Sequence, residues 1–115
     1  MSIQRHLTSA RLSEAVVANG FIFLAGQVAE KTDGDAQAQT ANVLAQIDKL
    51  LGDLGSDKSK LVDATIFLPN LDDFAGMNAA WEAWLPAGQA PTRATVQAIL
   101  AKPEWKVEIK IIALA

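Results

Sequence analysis

Near the N-terminus, apolar residues come in short runs broken by turn residues, the pattern of strands joined by hairpins. The stretch "IQRHL" (3–7) reads as a short edge strand. In "EAVVANGFIFLAGQ" (14–27), apolar runs flank Asn19-Gly20, the dipeptide that most favours a tight two-residue turn. Residues 1–26 are therefore expected to be sheet.

The period then changes. Val43, Ile47, Leu50 and Leu54 recur at helical spacing, Asp33 or Asp35 can cap the start and Gly55 can end the element, which predicts a helix over 35–54. The segment "KLVDATIFL" (60–68) returns to strand, with Val62, Ala64, Ile66 and Leu68 on one face and Pro69 as its stop. A second helix is expected in "NLDDFAGMNAAWEAWL" (70–85), capped by Asn70 or Asp72, with Phe74, Met77, Trp81 and Trp84 as its apolar stripe. Two strands close the chain, "RATVQAIL" (93–100) and "KVEIKIIALA" (106–115), joined by the turn "AKPEW" (101–105).

The order β-β-β-α-β-α-β-β, with right-handed crossovers, puts both helices on one face of a mixed sheet and leaves the other face bare. Along the last strand Val107, Ile109, Ile111 and Ala113 alternate with Glu108, Lys110, Ile112 and Leu114, so even the more polar side carries two large apolar residues. Burying such side chains is worth roughly 1.5 to 3 kcal/mol each. The bare face is expected to pack against other subunits, and a site near it would lie between chains. Composition points the same way: 115 residues make a single domain, 1–115, and 50% hydrophobic content with a mean hydropathy of +0.17 is high for a soluble monomer.

Charge and cysteine usage narrow the chemistry. A net charge of -3 with scattered basic residues gives no electrostatic footprint for nucleic acid. With no Cys and one His, thiol catalysis and an ordinary zinc site are not expected, and neither metal nor cofactor is called for. No stretch matches a signal peptide or the roughly 20 apolar residues of a membrane span, so a cytoplasmic protein without membrane partners is expected.

The residue that stands out is Arg93, a permanent charge opening an apolar strand. Paired with Glu108 it can be a cross-strand salt bridge, worth about 0 to 1 kcal/mol when exposed. It can also be an anion clamp, because a guanidinium presents a planar fork matched to a carboxylate. Glu108 would then hold a water beside the bound molecule. His6 reads as a surface residue, Ser9 and Ser13 lack the setting of a nucleophilic serine, Trp81 and Trp84 read as core, and Asn78 either satisfies backbone or lines a pocket.

The segments "NGFIFLAGQVA", "DATIFLPNLDDFAGMNAAWEAW" and "APTRATVQAILAKPEWKVEIKIIALA" together resemble the RidA family, also called YjgF or endoribonuclease L-PSP, and are most similar to its YoaB-like branch. The resemblance spans about Arg11 to Ala115. It implies an α+β, chorismate-mutase-like mixed sheet with two helices on one face, assembled as a homotrimer with a barrel-like centre and clefts between subunits. In those clefts the family hydrolyses reactive enamines and imines of amino acids to 2-keto acids and ammonia. By the same resemblance Arg93 grips the substrate carboxylate, Glu108 lies near the attacking water, and Gly26 and Asn78 line the cleft. Three cleft positions depart from the family: Ala25 stands for a serine, Thr95 for a frequent cysteine and Leu12 for an aromatic residue. Two functions stay open, a cofactor-free deaminase and a non-catalytic trimer that binds a small carboxylate as a sensor or regulatory partner. The acidic, stripe-free chain is poorly equipped for RNA cleavage.

Overall fold

In the computed structural model, which describes residues 2–115, the strands form one mixed sheet. They are β1 (Ile3–Thr8), β2 (Ser13–Ala18), β3 (Phe21–Leu24), β4 (Gln27–Val28), β5 (Leu61–Leu68), β6 (Thr92–Gln97) and β7 (Glu108–Leu114). The order is β1-β2-β3-β7-β5-β6, with β4 also on β7. Met1, counted with the expected N-terminal sheet, lies outside the described residues. All pairings are antiparallel except β5 with β6.

The local rules act as expected at the hairpin and the first helix. Asn19 and Gly20 both take positive φ, 52° and 80°, the backbone a tight turn between right-twisted strands requires. Helix α1 (Ala36–Asp53) starts where the Asp35 carboxylate accepts the Ala38 N–H at 2.8 Å and ends ahead of Gly55, at φ 76°. In the second helical segment Asn70 caps a short 3-10 turn (Leu71–Asp73), and α2 proper runs Phe74–Trp84.

Both helices cover the same face of the sheet. Ile22 and Leu24 of β3, Ala64, Ile66 and Leu68 of β5, and Ile109, Ile111 and Ala113 of β7 are buried there with Val43, Leu44, Ile47 and Leu51 of α1 and Met77 and Trp81 of α2. Alternation sends the intervening residues to the other face: Val16, Phe21, Phe23, Phe67, Val96, Ile112 and Leu114. Phe23, Val96 and Leu114 are exposed large hydrophobics, the apolar surface expected of a face that packs against a second subunit.

The last two strands do not pair, because β5 enters between them as parallel partner of β6 and antiparallel partner of β7, so a direct cross-strand bridge of Arg93 to Glu108 is not available. Two expectations are corrected. Val62 does not share the buried face of Ala64, Ile66 and Leu68, because a register irregularity between Leu61 and Asp63 breaks the alternation and leaves Val62 exposed. The strand expected over 93–100 ends at Gln97; Ala98 still donates to the Leu68 carbonyl at 3.1 Å, but Ile99 is 96% exposed.

Candidate functional site

Arg93 lies on β6, an edge of the sheet, opposite Ala64 and hence on the helix-covered side. Its Nη1 donates to the Asn78 side-chain oxygen at 2.7 Å. The guanidinium carbon stands 5.9 Å from the centre of the Phe74 ring and 5.8 Å from that of Trp81. Phe74, Asn78 and Trp81 are spaced i, i+4 and i+7, so one stripe of α2 supplies the whole cradle. An arginine over an aromatic face gains about 0.5 to 2 kcal/mol, more as water is excluded. None of its partners is a carboxylate; among the described residues the one ion pair is Lys49–Asp53. A part-buried cation held by a neutral amide and two rings keeps most of its donors for an external anion. Thr95, two residues along the same side of β6, has a buried hydroxyl with no hydrogen-bond partner.

Glu108 begins β7 on the opposite side of the sheet, where it alternates with buried Ile109. Two registers meet near it. Phe23 faces Ile112, while Gln27 faces Ile109, so four steps on one strand match three on the other. The extra residue makes a β-bulge at Ala25–Gly26. A methyl group at Gly26 would fall 2.9 Å from the Glu108 Cδ and 3.2 Å from its Cγ, with the carboxylate oxygen nearer still. Glycine thus lets the carboxylate lie directly over the bulged backbone. Leu12, exposed in the β1–β2 turn, is two residues from Glu14, whose carbonyl accepts the Ala25 N–H at 2.9 Å.

The sequence-derived residues therefore fall into two groups, Arg93 with Asn78 and Thr95, and Glu108 with Gly26, Ala25 and, nearby, Leu12. On β5 the partner of Arg93 is Ala64 and that of Glu108 is Phe67. That separates them by two strand spacings, roughly 9.5 Å, and by about 10 Å along the strand, on opposite faces. Arg93 and Glu108 form no salt bridge within the chain.

The whole described chain matches one family model. Endoribonuclease L-PSP covers residues 2–115. The RutC family protein YoaB of Escherichia coli K12 is 54% identical over 113 residues, 98% of each chain. A RutC family protein of Haemophilus influenzae is 52% identical over 114 residues, again 98% of each. The chain belongs to the RidA family, in its YoaB-like branch. Among solved structures, a YjgF family protein of Neisseria meningitidis superposes with a TM-score of 0.96 at 54% identity, over 99% of this chain and 95% of that one.

Within this RidA-family fold, sequence reasoning missed several residues around the two groups. Trp81 is core, as its spacing required, yet it also cradles Arg93, and Phe74 is exposed beside it. Their shared stripe with Asn78 was the available signal. Gln27 and Glu14 carry no motif of their own, and the bulge that brings their side chains together is a matter of strand register. Both line a pocket of about 380 Å³ on the helix side, with Leu7, Gly26 and Gln46. Among the described residues no three His, Asp or Glu side chains form a metal-binding group, and no helix is long and apolar enough to cross a membrane.

Proposed function

We propose that this RidA-family chain is a cofactor-free deaminase of 2-imino and 2-enamino acids, working at clefts where the Arg93 group of one copy meets the Glu108 group of another in a homotrimer. The observation that carries this reading is the uncompensated guanidinium: Arg93 has a rigid cradle and no carboxylate of its own. The apolar bare face supports the assembly, and the opposite orientations of Arg93 and Glu108 support a site shared between copies.

Arg93 binds the substrate carboxylate through paired, charge-assisted hydrogen bonds and presents the imine carbon in the cleft. Glu108 accepts a hydrogen bond from a water and aims it at that carbon. The water oxygen bonds to carbon as one water proton passes to the imine nitrogen, giving a carbinolamine. Glu108 relays the hydroxyl proton to nitrogen, the C–N bond breaks, and ammonia and the 2-keto acid leave. The substrate is already electrophilic, so orientation supplies much of the acceleration.

A coupled assay that generates 2-iminobutanoate in situ tests this. The native protein is expected to accelerate ammonia release, Arg93→Ala to abolish the effect and Glu108→Gln to reduce it strongly. Binding of 2-oxobutanoate without acceleration would instead identify a carboxylate-binding protein that performs no chemistry.

A further inference from the structure

The hydrogen bonds beneath the Ala25–Gly26 bulge give a task to Gln27 and Glu14. Gln27 is opposite buried Ile109 and is itself 7% exposed, so its side chain lies on the helix-facing side of the sheet. Its Nε2 donates to the Ala25 carbonyl at 3.0 Å and to Glu14 Oε2 at 3.0 Å. The Glu14 backbone carbonyl holds the Ala25 N–H at 2.9 Å. An ionised carboxylate and a peptide carbonyl can only accept, so the group between them must offer two N–H bonds; a primary amide does so without adding charge.

This arrangement acts on the far side of the sheet. The Ala25–Gly26 peptide is planar and trans, so its C=O and N–H point in opposite directions. With the carbonyl drawn toward Gln27, the Gly26 N–H points away from the Gln27 amide, and the Glu108 carboxylate lies over Gly26 from the other face. A bulge has lost part of its ladder bonding, and a side-chain clamp makes up the loss.

We propose that Gln27, oriented by Glu14, is a positioning residue: it locks the Ala25–Gly26 peptide so that the Gly26 N–H faces the water or carbinolamine oxygen beside Glu108. This rests on the deaminase reading for its kinetic consequence, but not for the direction of the amide. Gln27→Glu keeps the size and sets a carboxylate against two acceptors. Glu14→Gln keeps an acceptor for Gln27.

The test compares Gln27→Glu, Glu14→Gln, Glu14→Ala and the exchanged pair Gln27→Glu/Glu14→Gln. Turnover of 2-iminobutanoate and the Gly26 amide NMR signal during titration with 2-oxobutanoate are both followed. Gln27→Glu should lose roughly 100-fold in kcat with little change in KM, the scale of removing one preorganised donor. Glu14→Gln should stay near native and Glu14→Ala fall between. The exchanged pair re-forms a bond between side chains 14 and 27 but leaves the Ala25 carbonyl facing a carboxylate, so it should remain defective. Restored turnover in the exchanged pair overturns the proposal, since the bond between the two side chains would then suffice. If the native protein proves inactive the deaminase reading fails, and the NMR signal decides alone: a ligand-induced Gly26 shift in the native protein, lost in Gln27→Glu, upholds the positioning role, and an unchanged response overturns it. Should Gln27→Glu not fold, Glu14→Ala is read by the same signal with the same two outcomes.

Discussion

Arg93 and Asn78 are joined by a 2.7 Å hydrogen bond in which a neutral amide oxygen holds one arm of a guanidinium. The neutrality matters, because a carboxylate there would satisfy the charge from inside the chain. Asn78→Asp should therefore weaken binding of 2-oxobutanoate about tenfold or more, a loss of about 1.4 kcal/mol, measured by calorimetry. Asn78→Ala removes the support but not the charge and should have a smaller effect. Binding in Asn78→Asp equal to native would argue against Arg93 as the anion clamp.

Gly26 and Glu108 should behave as one unit. An alanine at 26 would press on the Glu108 Cδ at 2.9 Å, so the carboxylate must move. Gly26→Ala is expected to lower kcat about as much as Glu108→Gln. The double variant should be little worse than either single one, since contacting residues are not additive. Full additivity in that cycle would mean that Gly26 acts by another route.

The bare face makes a prediction about assembly. Phe23 and Ile112 face each other there, and Phe23→Glu places a charge in the middle of the patch. Sedimentation should show the native chain as an oligomer and Phe23→Glu as smaller, with turnover lost in parallel although neither Arg93 nor Glu108 is changed. An active monomer would contradict a site shared between copies.

Thr95 offers a stability test. Its hydroxyl is buried without a partner, a situation that costs about 1 to 3 kcal/mol. Thr95→Val keeps the shape and removes the orphan, so thermal unfolding should shift upward, by roughly 4 to 8 °C for each kcal/mol gained. A drop in stability would mean that the hydroxyl has a partner in the assembled protein.

Much of the fold was legible because its signals are local. Asn19-Gly20 fixed a hairpin through backbone conformations those two residues tolerate, Asp35 and Gly55 marked the ends of α1, and the alternation in β7 named its buried side. Strand order is a non-local property: nothing near Arg93 or Glu108 records that β5 separates their strands. One irregularity at Leu61–Asp63 was enough to turn Val62 outward, and a one-residue bulge made Gly26 the seat of the Glu108 carboxylate. Residue type and position singled out Arg93, Glu108 and Asn78, and Gly26 joined them only through the family resemblance. Their division between two faces followed only from register.

The central claim is that Arg93 of one copy and Glu108 of another complete the same cleft. Subunit mixing tests it most directly: Arg93→Ala chains, inactive alone, and Glu108→Gln chains, strongly impaired alone, are unfolded, combined in equal amounts and refolded together. The mixture should recover about a quarter of native 2-iminobutanoate hydrolysis, because random assembly brings two intact groups together at one interface in four. A mixture no more active than its parents, alongside an active native control taken through the same refolding, would contradict it.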